Sequence, residues 1–170
     1  MDLKNYVRDI QDFPIPGILF RDITTVLKDP AALEIAVDTM ANLLDGLEFD
    51  VILGPESRGF IFGMPMAYKL KKGFVPVRKA GKLPAPVAKR EYALEYGTAV
   101  IEIHKDAIVP GQRYIIVDDL LATGGTAKAT ADLIKEMGGQ VVSMLFFIEL
   151  ADLGGRDMLA GHDVRAVLTY

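Results

Sequence analysis

At 170 residues the chain has the length of one ordinary domain, and 51% hydrophobic against 25% charged residues is too apolar for a disordered chain. Its 19 Lys and Arg against 23 Asp and Glu leave a net charge of −4, so there is no general field for polyanions: any phosphate must be bound locally, and no nucleic-acid partner is expected. The absence of cysteine excludes a disulfide framework, a thiolate metal site and a thiol nucleophile, and the expected compartment is the cytoplasm.

Asp2, Lys4, Arg8 and Asp9 interrupt the first residues, so they lack the apolar core of an export signal. From Phe13 to Asp22 the chain is broken by Pro14, Pro16 and Gly17 while presenting Ile15, Leu19 and Phe20, a composition suited to capping a pocket. Between Pro30 and Leu47 the residues Leu33, Val37, Met40, Leu44 and Leu47 recur every three or four positions and predict a helix. Val51-Ile52-Leu53 reads as a buried strand, followed by a helix over Arg58 to Lys72 that stops at Gly73, then a strand over Phe74 to Val77.

The segment from Lys79 to Tyr96 carries Lys79, Lys82, Lys89 and Arg90 with Gly81, Pro84 and Pro86 and shows no sustained period, which predicts a long basic loop acting as a lid. A strand over Tyr114 to Val117, a helix over Thr126 to Met137 closed by Gly138-Gly139, and strands over Val141 to Ile148 and Val164 to Leu168 complete the alternation. No apolar stretch approaches the roughly 20 residues that span a bilayer, so no membrane partner is expected. The expectation is one α/β domain over residues 1–170: a central, mainly parallel sheet flanked by helices, an N-terminal hood over about 1–30 and a flexible loop over about 79–96. Ligands of such a sheet bind beyond the carboxyl ends of its strands.

The most informative run is Ile115 to Thr126, where an apolar strand reaches two acids and passes through small residues into a helix. Gly124 and Gly125 permit tight backbone through which successive N–H groups converge on an anion at the helix start, and Thr123 and Thr126 add hydroxyl donors. Asp118 and Asp119, a few residues earlier, are acceptors for hydroxyls of the same ligand, which fits a ribose 5-phosphate. Neither a triphosphate loop nor a dinucleotide fingerprint occurs. Gly54-Pro55-Glu56-Ser57-Arg58-Gly59 forms a second turn before a helix, and its guanidinium fork suits diphosphate oxygens. Phe20 offers a face for a flat base. His104 and His162 have no ligand partner at useful spacing.

Asp118-Asp119-Leu120-Leu121-Ala122-Thr123-Gly124-Gly125-Thr126 closely resembles the phosphoribosyl pyrophosphate motif of the type I phosphoribosyltransferases. Phe20-Arg21-Asp22-Ile23, Ser57-Arg58-Gly59-Phe60, Arg78-Lys79, Gly81-Lys82-Leu83-Pro84 and Leu94-Glu95-Tyr96-Gly97 follow the family's order, so the resemblance covers nearly the whole chain, the middle of the loop and the residues after Ala151 departing most. It implies the family fold and the transfer of 5-phosphoribosyl from phosphoribosyl pyrophosphate to adenine, with AMP and pyrophosphate as products, in purine salvage. Asp118 and Asp119 would hold the ribose, Ala122, Thr123, Gly124, Gly125 and Thr126 the 5′-phosphate, and Ser57, Arg58, Gly59 and Lys82 the pyrophosphate.

By the same resemblance, a cis peptide is expected near Glu56-Ser57, Arg78 acts at the pyrophosphate site of a partner subunit in a homodimer, and Glu95 handles the purine proton; Tyr96 beside it is placed to order the loop or to pack the site. The backbone around Leu19 and Arg21, with the Phe20 ring, would read the adenine edge. Mg²⁺ is the implied cofactor, held mainly by substrate oxygens with no dedicated protein ligand. The motif does not itself name the base, so a phosphoribosyltransferase for another nucleobase remains an alternative, as does a regulator that senses phosphoribosyl pyrophosphate.

Overall fold

The computed structural model describes residues 2–94 and 96–170. Its elements in chain order are β1 (Arg8–Ile10), β2 (Phe20–Asp22), α1 (Thr24–Lys28), α2 (Pro30–Asn42), β3 (Val51–Pro55), α3 (Arg58–Leu70), β4 (Gly73–Lys79), β5 (Val87–Ala93), β6 (Thr98–His104), β7 (Arg113–Leu121), α4 (Gly125–Glu136), β8 (Gln140–Glu149), α5 (Gly155–Met158) and β9 (Val164–Thr169).

The apolar runs Tyr114 to Val117 of β7 and Met144 to Ile148 of β8 have the expected cause: both faces are covered. Tyr114 and Ile116 pack with Leu133 and Ile134 of α4, while Ile115 and Val117 on the other face pack with Met40 of α2 and Phe62 of α3. Full burial of one such side chain stabilises by about 2 kcal/mol, so each face contributes several-fold the worth of any surface contact. The seven strands run in the order β5-β6-β4-β3-β7-β8-β9. β4, β3, β7, β8 and β9 are mutually parallel, and β6 and β5 add antiparallel strands at one edge. Because β3 connects through α3 to β4 on one side and β7 through α4 to β8 on the other, the order reverses between β3 and β7. That is where a crevice opens in sheets of this kind.

The helix boundaries follow local chemistry. α2 starts where Asp29 accepts from the N–H groups of Ala31 and Ala32 at 3.0 and 2.9 Å, with Pro30 at the first position. It ends at Asn42, short of the expected Leu47, because the chain continues in single turns such as Leu44 N–H to Ala41. α3 ends at Leu70 because Lys71 adopts a left-handed conformation, and Gly73, expected as a stop, instead opens β4.

Two expectations about irregular segments are corrected. Residues 79–96 are not loop throughout: β5 pairs antiparallel with β6 from Val87↔His104 to Ala93↔Thr98. Ala88, Arg90 and Tyr92 alternate with the exposed Lys89, Glu91 and Ala93, a period of two that the surrounding charges obscure. Arg90 is no free loop cation but pairs with Asp132 and Glu136 of α4. The hood likewise contains a regular element, the antiparallel pair β1–β2, in which Asp22 accepts from Arg8 Nε at 2.9 Å and from Thr24 N–H at 2.9 Å. Among the described residues no helix is long and apolar enough to cross a membrane.

Candidate active site at the switch point

The two acids do not end their strand as expected. β7 runs on to Leu121, paired with Glu149 of β8, so Asp118 and Asp119 lie inside the strand and their side chains alternate. Asp119 is buried and meets Arg58 of α3, with Nε 3.1 Å from Oδ2. Asp118 lines a cavity of about 490 Å³ with Thr123, Gly125, Thr126, Tyr92 and Met158. Burial, and then the charge of Asp119, pushes the Asp118 carboxyl well above the usual carboxylate range. Burial also raises Asp119, but Arg58 opposes the rise. Asp118 is therefore the member of the pair that holds a proton most readily.

Beyond β7, three residues lead into α4. Gly124 has φ +84°, a left-handed conformation in which a side chain is strained. This twist starts α4 directly behind the loop and leaves its first N–H groups without intrahelical partners, facing the cavity. Thr126 Oγ1 lies 3.0 Å from the hydroxyl of Tyr92, so β5 closes the cavity from the opposite side. Thr123, Gly124, Gly125 and Thr126, expected to act together on an anion, thus line one cavity.

The turn over residues 54–59, expected as a second anion site, follows β3 and lies against β7. A Cβ on Gly59 would stand 3.1 Å from Asp118 Oδ1 and 3.0 Å from Val117 O, so only glycine permits this approach without the neighbours giving way. The Glu56–Ser57 peptide is cis, as the family resemblance implies. Lys82 and Arg78 gather at this loop through Glu56: Lys82 Nζ is 3.0 Å from Oε2, Arg78 Nε is 3.4 Å from Oε1, and Lys79 N–H donates to Oε1 at 2.5 Å. Burial raises the Glu56 carboxyl, but these donors outweigh it and hold the group below its ordinary range. Ser57 is exposed and begins the turn into α3.

At the mouth, the Arg58 guanidinium lies 5.8 Å from the centre of the Phe20 ring, which Phe13 meets edge-on at 5.1 Å. The hood aromatic and the turn that carries Arg58 are therefore neighbours. Leu19 is exposed at the hood, whereas the Arg21 side chain turns to Asp9 and to the Tyr170 ring, 4.0 Å away. Any part Arg21 takes in reading a base belongs to its backbone. Tyr96 is 87% exposed in the turn between β5 and β6, outside the cavity wall formed by Tyr92 and Leu94. Glu95, expected to handle a proton, lies outside the described residues. His104 and His162 are half-buried, and among the described residues no cluster of three or more His, Cys, Asp or Glu is placed to hold a metal ion.

Sequence reasoning missed two participants. Tyr92 lies on the inward face of β5, whose period of two is obscured by the surrounding charges. Glu56 carried only the weak signal of an acid within an anion loop, and its role as the post for two cations depends on β4 lying beside β3.

Comparison with known proteins points in one direction. The family model described as the phosphoribosyl transferase domain matches residues 22–165. Over 168 residues the chain is 59% identical to the adenine phosphoribosyltransferase of Agathobacter rectalis, covering 99% of this chain and 97% of that one. The crystal structure of adenine phosphoribosyltransferase from Thermoanaerobacter pseudethanolicus is similar with a TM-score of 0.97 at 53% identity, covering 99% of this chain and 98% of that one. The Saccharomyces cerevisiae enzyme, solved in complex with an imino-altritol bisphosphate and adenine, is similar with a TM-score of 0.91 at 38% identity, covering 97% of this chain and 96% of that one.

Proposed function

The chain belongs to the phosphoribosyl transferase family, and from that premise we propose that it is a purine-salvage enzyme, transferring 5-phosphoribosyl from phosphoribosyl pyrophosphate to N9 of adenine. The products are AMP and pyrophosphate. The observation that carries the assignment of roles is the convergence of two anion loops on the Asp118–Asp119 pair at the sheet's switch point, with an aromatic ring at the mouth.

The N–H groups at the start of α4, with the hydroxyls of Thr123 and Thr126 beside Ala122, Gly124 and Gly125, hold the 5′-phosphate. Asp118 and Asp119 accept from the ribose hydroxyls. Ser57, Arg58 and Gly59 bind the diphosphate, and Lys82 and Arg78 stand beside it on Glu56. The C1′–O bond breaks with its electron pair leaving on pyrophosphate, positive charge develops at C1′, and N9 forms the new bond as its proton departs toward Glu95. Carboxylates held near the developing charge stabilise it without reorganising at the moment of reaction, an effect worth about 3 kcal/mol for a single well-placed group. Phe20 stacks on the base while the backbone at Leu19 and Arg21 matches the amine and ring nitrogen of adenine.

Mg²⁺, a hard cation, would be held mainly by the substrate's phosphate oxygens, with the hard carboxylate oxygens of Asp118 beside the cavity. Bound in this way, the ion supplies positive charge to the leaving diphosphate. The working unit is a homodimer, for which Met64 and Tyr68, one turn apart on α3 and exposed 50% and 87%, offer an apolar patch; Arg78, expected at the partner's site, stands on Glu56 of its own chain.

The deciding assay follows phosphoribosyl pyrophosphate consumption with Mg²⁺ and adenine, guanine, hypoxanthine, xanthine or orotate in parallel, with Glu95→Gln alongside. AMP from adenine alone, with the variant impaired, is the expected result. Turnover of an oxo-purine or orotate would overturn the base assignment, and binding without turnover would make the protein a sensor.

A further inference from the structure

The phosphate cradle is shaped from behind by a segment that carries none of its ligands. A Cβ on Gly124 would lie 2.9 Å from Gly155 O and 3.2 Å from Met158 Cβ, and a Cβ on Gly155 would lie 2.5 Å from Ala122 O. The turn at the start of α5 is thus packed directly against the loop between β7 and α4. α5 has only four residues, too few to hold its own position by helix propensity.

What holds it is a buried carboxylate. Glu149 is 5% exposed at the end of β8, where it pairs in register with Leu121, the residue from which the phosphate loop departs. Arg156 donates to both its oxygens, Nε to Oε1 at 2.7 Å and Nη2 to Oε2 at 2.8 Å, and sends Nη1 to the carbonyl of Val164 at 2.7 Å. This two-point fork fixes orientation as well as distance, and the third bond ties the same guanidinium to β9. The backbone adds Leu150 N–H to Leu121 O at 2.9 Å. The loop, the α5 turn and the ends of three strands therefore meet around one ion pair.

We propose that Glu149 and Arg156 are positioning residues for the 5′-phosphate: their pair sets the α5 turn as the wall against which Gly124 is held, and so fixes where the first N–H groups of α4 point. The inference rests on the assignment of Ala122 to Thr126 as the phosphate cradle. Removing the fork frees the α5 turn from β8 and β9, and the loop packed against that turn loses its backing.

The test compares the full-length enzyme with Arg156→Ala, Arg156→Lys and the charge-neutral double variant Glu149→Gln/Arg156→Met, which leaves no unpaired buried charge. The control is Arg113→Ala, which removes ion pairs to Glu48 and Asp50 at the opposite end of β7. Arg156→Ala and the double variant should raise KM for phosphoribosyl pyrophosphate by roughly tenfold, equivalent to about 1.4 kcal/mol, with KM for adenine unchanged. Arg156→Lys should recover only part of the loss, and Arg113→Ala should lower thermal stability without moving either KM. Equal increases in both KM values, or an unchanged KM for phosphoribosyl pyrophosphate in the double variant, overturn the positioning role while leaving the reaction intact. Failure of the unaltered protein to turn over overturns the cradle assignment and the positioning role with it.

Discussion

Gly124→Ala isolates the backbone geometry of the phosphate cradle without removing any hydrogen-bonding group. The residue sits at φ +84°, where an L side chain costs about 1–2 kcal/mol. The added Cβ would also stand 2.9 Å from Gly155 O, a backbone atom, and 3.2 Å from Met158 Cβ, so the loop or the α5 turn must move. Taking a total of about 2 kcal/mol, and assigning it to the liganded geometry because relaxation turns the α4 N–H groups away from the phosphate, gives a roughly thirtyfold rise in KM for phosphoribosyl pyrophosphate. Steady-state kinetics with each substrate varied in turn measures this directly, with KM for adenine expected to stay within about twofold of its original value, under 0.5 kcal/mol. A Gly124→Ala enzyme with unchanged KM for phosphoribosyl pyrophosphate, whatever its melting temperature, would show that the left-handed turn is not what presents the donors.

Two further outcomes follow from ionisation. Asp118 is raised in the free site, so it binds a proton more tightly folded than unfolded, and its contribution to stability falls as pH rises above the ordinary aspartate value of about 4 toward its raised value. Asp118→Asn should therefore raise the melting temperature at neutral pH while weakening sugar-phosphate binding. An Asp118→Asn melting temperature that is unchanged or lower at neutral pH would contradict it. Asp22 has the opposite sign: burial raises it, but Thr24 and Arg8 outweigh burial and leave its pKa lowered, so its stabilisation is present above about 4 and disappears as pH falls through the folded value. Asp22→Asn should cost about 2 kcal/mol at neutral pH and nothing measurable below the folded pKa, which denaturant unfolding at several pH values would register; a loss independent of pH would refute the charge argument.

Much of this molecule is written in short stretches of chain. The apolar runs of β3, β7 and β8, the Asp29-Pro30 start of α2 and the passage from Asp118 through Gly124 to Thr126 act through residues that are neighbours in sequence. The strands and the glycine turn into α4 were therefore legible before any fold was known, because backbone geometry carries such interactions. The sheet order was not, and with it went every contact that crosses strands. Glu56 collects Arg78 and Lys82 only because β4 lies beside β3; Asp119 finds Arg58 only because α3 packs over β7; Tyr92 reaches Thr126 only because the β5–β6 hairpin folds back over α4. The hairpin was hidden because its alternation is polar on the exposed face and includes Arg90 on the other, a cation whose partners lie more than 40 positions away on α4. Local chemistry placed the groups assigned to phosphate and sugar close together along the chain, and tertiary packing decided which carboxyls are raised or lowered, which cations gather at Glu56 and what packs behind Gly124, since burial and charge pairing exist only between segments that the fold brings together.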